Sequence, residues 1–332
     1  MKTFLIPLAI ILITLVSCQK EDDRKNRTDD NRTIYLAGTE IFDYRGMAIV
    51  WKNGEVLYQT KKADNNHIHS IYVAGNDVYT AGYEKQGSLF IAKVWKNGEV
   101  LYQTDGTIFS EARAIYVSGT DVYTAGYEGK DIGKAIVWKN GKVLYRGDWR
   151  GNSQAWSICV YNNDIYTAGF EYLNSKCKAM VWKNGSVMYQ TDGTEQASAY
   201  SIYVSNNDVY TVGEEESIST IWKNGEVLYR LTDTSAESIV VSGNDVYTAG
   251  TTFKDNKKVS HIWKNGTILY EKENVNSLSV FVVGNDVYAA GYKYDEDSKR
   301  NIPIIWKNGE VLYLIENSYF NLSTGNIFVV NN

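Results

Sequence analysis

The tetrapeptide Trp-Lys-Asn-Gly occurs seven times, beginning at Trp51, Trp95, Trp138, Trp182, Trp222, Trp263 and Trp306, at spacings of 44, 43, 44, 40, 41 and 43 residues. A period of that size marks a series of equal units, none of which can bury its apolar surface alone. One unit reads as four strands: a, Ser70-Ile71-Tyr72-Val73; b, Val78-Tyr79-Thr80-Ala81-Gly82; c, Ile91-Ala92-Lys93-Val94-Trp95; and d, Glu99-Val100-Leu101-Tyr102. Asn97-Gly98 between c and d accepts the two positive φ angles of a type I′ hairpin turn, and Gly75-Asn76-Asp77 turns a into b.

Each unit is thus a four-stranded antiparallel sheet with apolar residues on both faces, Ile71 and Val73 on one and Tyr72 on the other. Seven sheets stacked radially cover every face, whereas an open stack would expose two apolar ends. The sequence predicts an all-β fold, a seven-bladed β-propeller over residues 33–332. The 26 Tyr and only 2 Pro suit strands. The chain enters mid-repeat, because Ile34-Tyr35-Leu36-Ala37-Gly38 matches strand b, so pairing of N- and C-terminal strands is expected to close the ring. Ser318–Leu322 matches strand a, and Asn326-Ile327-Phe328-Val329-Val330 resembles an eighth copy of strand b that either displaces the first copy or lies beside it.

The N-terminus has a separate logic. Lys2 precedes the apolar run Phe4–Val16, about 13 residues and too short to span a bilayer comfortably. Leu15-Val16-Ser17-Cys18 resembles the lipobox of bacterial lipoproteins. The resemblance implies that residues 1–17 are a signal peptide and that Cys18 is acylated, holding the chain to a membrane by lipid. Residues 18–32 are then a polar tether with no apolar face to bury. Its start, Gln19-Lys20-Glu21-Asp22-Asp23, resembles an export signal that sends some Gram-negative lipoproteins to the outer surface, so a surface-exposed outer-membrane location is implied, with a periplasm-facing one as the alternative. Cys159 and Cys177, which read as lying on different strands, are expected to be free thiols.

The repeats are similar to the Trp-Lys-Asn-Gly propeller repeats of lipoproteins from Gram-negative gut and environmental bacteria, over roughly residues 33–330. That resemblance implies a fold and a location. No activity is assigned to the family, so function has to come from the residues.

Strands a and c run one way and b and d the other, so the short, near-identical a–b and c–d turns share one face. The variable b–c and d–a connections share the opposite face, where binding residues are expected. Strand a opens on Ser70, Ser157, Ser201, Ser238, Ser279 and Ser318, with Ala114 as the exception. The residue before it differs every time: His69, Arg113, Trp156, Tyr200, Glu237, Leu278 and, by looser alignment, Asn317. If strand a is innermost, these seven ring the channel mouth, and their types suit a polar ligand with a stackable face. Phe42, Tyr44, Trp149, Phe170, Tyr172, Phe253, Tyr292 and Tyr294 in nearby loops either extend such a site or pack the loops together. Glu40, Glu84, Glu128, Glu171 and Glu215 form a second ring, one per blade and too far apart to share a metal ion. Each Lys after Trp and the Asp opening strand b read as paired surface charge, and the seven Trp as packing between blades.

The formal net charge of −5 and the absence of a basic cluster argue against nucleic acid. His67, His69 and His261 have no metal-ligand spacing, and no phosphate loop or nucleophile elbow appears. No catalytic residue, metal or cofactor is assigned. The expectation is a monomeric, non-enzymatic binding module for a glycan, peptide or protein. A polysaccharide lyase or hydrolase, needing a second acid or base near Glu237 or His69, is one alternative. A scaffold that docks a partner through its blade edges is the other.

Overall fold

The computed structural model describes residues 31–42, 45–61, 64–130, 132–147, 151–254, 257–316 and 326–332. Residues 1–30, on which the expected signal peptide, Cys18 and most of the expected tether fall, lie outside them, as do Tyr44, Trp149, Asn317 and Ser318–Leu322. The described chain forms seven four-stranded antiparallel sheets arranged as a propeller. Blade 2 is typical: a, Asn66–Ala74; b, Asp77–Gln86; c, Leu89–Lys96; d, Glu99–Gln103.

The ring closes through blade 1, where Asn326–Asn331 pairs antiparallel with strand b, Arg32–Phe42, followed by c, Arg45–Lys52, and d, Glu55–Gln59. Asn326–Asn331 is therefore strand a of the first blade and not a further copy of b. It neither displaces the N-terminal copy nor competes with it. Its sequence fits that role: Asn326-Ile327-Phe328-Val329 aligns with Ser279-Val280-Phe281-Val282, and it lacks the Gly that ends every strand b.

Seven apolar clusters fill the seven interfaces, one Trp in each. Trp51 packs with Tyr288 and Ile305 of blade 7, and Trp95 with Tyr35, Ala37 and Val50 of blade 1. The pattern continues around the ring, and all seven Trp are buried. The repeat's last Tyr also crosses an interface. Each strand-d Tyr lies over the turn Gly of the next blade, Tyr58 on Gly98, Tyr102 on Gly141 and so on to Tyr313 on Gly54. These glycines have positive φ, with Asn before them near +50°, as the I′ turn requires.

The tight-turn face is stitched by one device. Asn97 Oδ1 accepts the Val78 amide at 2.8 Å, its Nδ2 donates to Asp77, and Lys96 pairs with Asp77 at 2.8 Å while lying over the Tyr79 ring. Blades 3 to 7 repeat the Asn–Asp–Lys arrangement. In blade 1 Asp is replaced by Thr33, and Arg32 reaches instead across to Asp286 and Tyr288 of blade 7.

Candidate functional site

Strand a is innermost, and in blades 2 to 7 its ladder with strand b carries a β-bulge at one place. The shifts fall between Ile68 and Ser70, Ala112 and Ala114, Ala155 and Ser157, Ala199 and Ser201, Ala236 and Ser238, and Ser277 and Ser279. The unpaired residues are His69, Arg113, Trp156, Tyr200, Glu237 and Leu278. A bulge bends its strand and re-aims one side chain. The strand-b Gly makes the bulge possible. A Cβ on Gly82, Gly126, Gly169 or Gly213 would stand within 1.9 Å of a strand-a carbonyl, that of His67, Glu111, Gln154 or Ser198.

The strand-a hydroxyls have a structural task. Ser70 Oγ accepts the amide of Ile115 in the next blade at 3.3 Å, and Ser157, Ser201, Ser238 and Ser279 do the same for Ile202, Ile239, Val280 and Ile327. Ala114 has no hydroxyl to offer Ile158. At the seam, Asn326 takes the Ser position and its amide donates to the His69 carbonyl.

Together these residues line a cup of about 420 Å³ at the channel mouth. Of the seven candidates, His69, Arg113, Trp156, Tyr200 and Glu237 line it, joined by Ser235 and Asn326. Leu278 holds the equivalent bulge position, and Asn317 lies outside the described residues. Because Asn326 stands where Ser stands elsewhere, the residue one before it in the repeat is Gly325, so the Asn317 alignment does not hold. One layer down, Tyr116, Tyr72, Phe328 and Phe281 touch in series, with centroids 4.8, 4.9 and 5.0 Å apart. None of the four lines the cup; they form an aromatic layer of their own, two residues along strand a from the Ser position. Cys159 lies buried in the same layer as a free thiol, pushed up to about 11 by burial; Cys177 is also free.

The wall is chemically divided. On blades 2 and 3, buried Glu111 stands between His69 Nε2 at 3.3 Å and Arg113 Nε at 2.9 Å. Burial alone would raise the Glu111 carboxyl, but His69 and then Arg113 outweigh it and hold it below its ordinary value. Burial lowers the His69 imidazole despite that neighbour, and His67, stacked on Tyr83 at 4.6 Å, is lowered to about 4 by burial and then by His69. The Arg113 guanidinium lies over Tyr127 and borders the cup. On blades 4 and 5, Trp156 and Tyr200 have ring centroids 5.6 Å apart, with Phe170 behind Trp156 at 4.8 Å. Gln154 accepts the indole N–H at 2.8 Å, and Tyr200 donates to Glu214 at 3.3 Å.

On blade 6, Glu237 is open to the solvent of the cup, yet the walls crowd it, and that crowding pushes its carboxyl up to about 7. Because water reaches the group and screens it, the direction of this shift outweighs its size. Glu111 is the site residue that the repeat alignment misses. Its signal is that position 111 carries an acid where blades 2 and 4 to 7 carry His67, Gln154, Ser198, Ser235 and Asn276.

The second carboxylate ring does not converge. Glu84 pairs with Lys93, Glu128 with Arg146 and Glu215 with Arg230, each inside its own blade. Of the loop aromatics, Phe170 backs the cup, Tyr292 is buried, and Tyr172, Phe253 and Tyr294 are exposed.

No family model matches the chain. No curated protein matches it either. Solved structures do. The propeller is similar to part of an acylaminoacyl peptidase from Pyrococcus horikoshii, with 11% identity over 85% of this chain and 50% of that one at a TM-score of 0.51. Hsv2 of Kluyveromyces lactis matches at 8% identity over 80% of this chain and 94% of that one, with a TM-score of 0.42. The dihydro-heme d1 dehydrogenase NirN matches at 10% identity over 90% and 75%, with a TM-score of 0.48. The chain spans half the length of the archaeal peptidase, and the likeness is one of fold.

Proposed function

We propose that the protein is a membrane-anchored binding module, presented on the outer surface of the cell, whose propeller mouth captures a polar ligand with a flat, stackable face. One observation carries this reading: five chemically different bulge residues from five successive blades line a single cup. Its volume falls within the roughly 300–1,000 Å³ of ordinary ligand sites. Trp156 and Tyr200 offer a stacking surface, Arg113 donors, and Glu237 and Ser235 acceptors. The acids stand apart in role. Glu111 is engaged by His69 and Arg113, and Glu237 stands on blade 6, an arrangement that suits recognition more than paired-carboxylate hydrolysis.

The test is a screen of residues 19–332 on glycan and peptide arrays, run beside an Arg113→Ala/Trp156→Ala double variant whose folding is verified by its melting curve. Hits lost in the folded variant support the mouth. Hits retained there move binding elsewhere and defeat the reading.

A second reading has its own observation. Strand d is the edge of every blade, and Val56, Val100, Val187 and Ile268 are each about half exposed. Such edges can pair with an added strand. A protein partner pulled down equally by wild type and the mouth variant would favour it.

A further inference from the structure

A second cavity of about 720 Å³ lies on the same variable face, between the b–c hairpins of blades 6 and 7. Exposed rings flank it, Phe253 on blade 6 and Tyr294 on blade 7, 67% and 43% accessible. Its inner wall is built and hydrogen-bonded. Thr251 donates to Asn276 at 2.5 Å, Asn276 donates to the Tyr292 hydroxyl at 2.6 Å, and the Lys258 ammonium lies 5.7 Å from the centre of the Tyr292 ring.

The two cavities are neighbours. Ser235, which lines the cup, is the cross-strand partner of Thr251, and Thr251 holds Asn276, which lines the groove. Lys258 on the groove wall is close enough for its charge to act on Glu237 in the cup. Each cavity alone has the size of a site for one small molecule. Side by side, they suit a chain.

The lining tells which chain. Three lysines (257, 258 and 293), three acids (Asp295, Glu296 and Asp297) and three asparagines (274, 276 and 301) share the lining. Balanced charge with donors and acceptors interspersed does not suit a polyanion, which one sign of charge would serve better. It suits hydroxyl groups, each of which donates and accepts. The exposed rings of Phe253 and Tyr294 offer apolar faces for sugar rings.

We propose that cup and groove form one extended site for a linear, uncharged oligosaccharide, entering the cup at Trp156 and leaving between Phe253 and Tyr294. This rests on the mouth being a binding site and goes on to name ligand class and path.

The test is titration calorimetry with cello-, xylo- and malto-oligosaccharides of two to eight units, oligogalacturonides of the same lengths, and length-matched neutral peptides. The proteins are wild type, Trp156→Ala and the exposed-residue pair Phe253→Ala/Tyr294→Ala, each confirmed folded by its melting curve. One neutral series should bind with affinity that rises with length. The groove pair should lose at least tenfold on the longest members and less than twofold on the shortest, while Trp156→Ala weakens all lengths. Affinity independent of length, an unaffected groove pair, preference for oligogalacturonides or peptides, or no binding of any sugar at millimolar concentration overturns the proposal. Peptide binding abolished by Trp156→Ala would overturn it while sparing the mouth as a site. Sugar binding lost in the groove pair and untouched by Trp156→Ala would defeat the mouth itself.

Discussion

At the scale of single residues, the repeated tetrapeptide does two jobs at its Gly. Gly185 has φ of +79°, and a Cβ there would stand 2.6 Å from the Tyr145 ring of the preceding blade. Gly185→Ala should cost about 1–3 kcal/mol from the left-handed backbone alone, read as a lower urea midpoint. Adding Tyr145→Ala should recover part of any further loss, because the clashing ring is gone. The turn half of this was legible in Asn-Gly. The packing half was not, since the partner ring lies some 40 residues away on another blade.

Glu237 carries a pH prediction. Its folded pKa, raised from 4.5 to about 7, means that the folded state holds the proton more tightly than the unfolded chain. Stability linked to this group is therefore greatest below about 4.5 and falls as pH rises to about 7. The melting temperature of wild type minus that of Glu237→Gln should decline across that window. A flat difference would show the carboxyl to be unperturbed.

Among elements, strand a unites architecture and site. Its Ser hydroxyl locks one blade to the next, its bulge turns one side chain into the mouth, and the Gly of strand b makes room for the bulge. Ala114 breaks the series, and Ala114→Ser should restore the missing acceptor for Ile158. A hydrogen bond contributes about 0.5–1.5 kcal/mol, or roughly 1–3 °C in melting temperature for a chain of this size. A drop instead would mean that the hydroxyl does not fit beside Ile158. The mouth positions could be read from sequence because each varies directly beside the near-constant Ser that opens strand a. Asn317 was misplaced because the repeat loses its pattern between Asn317 and Gly325, and Asn326 replaces the Ser that marks the register. Val329-Val330 in place of Ala-Gly was the clue that this strand is a and not b.

For the whole molecule, closure depends on six residues at the far end of the chain. Ile327 and Val329 are buried with Ile34, Leu36 and Trp51 at the seam between blades 7 and 1. Ile327→Ala should cost about 2–5 kcal/mol by denaturant titration, and deletion of residues 326–332 should abolish the single cooperative transition. A truncated chain that still melted cooperatively would show that the ring does not need its seam.

The seam also decides how the molecule bears a load. Any pull on the N-terminal segment enters at Arg32, the first residue of a strand hydrogen-bonded on both sides, to Asn326–Asn331 and to Arg45–Lys52. Tension along that strand meets two rows of hydrogen bonds in shear, with the Arg32–Asp286 ion pair at 2.6 Å as an added bolt into blade 7. An edge strand at that position would peel away one bond at a time. Sewn between two neighbours, the first strand must slide past both at once before the ring can be pulled apart.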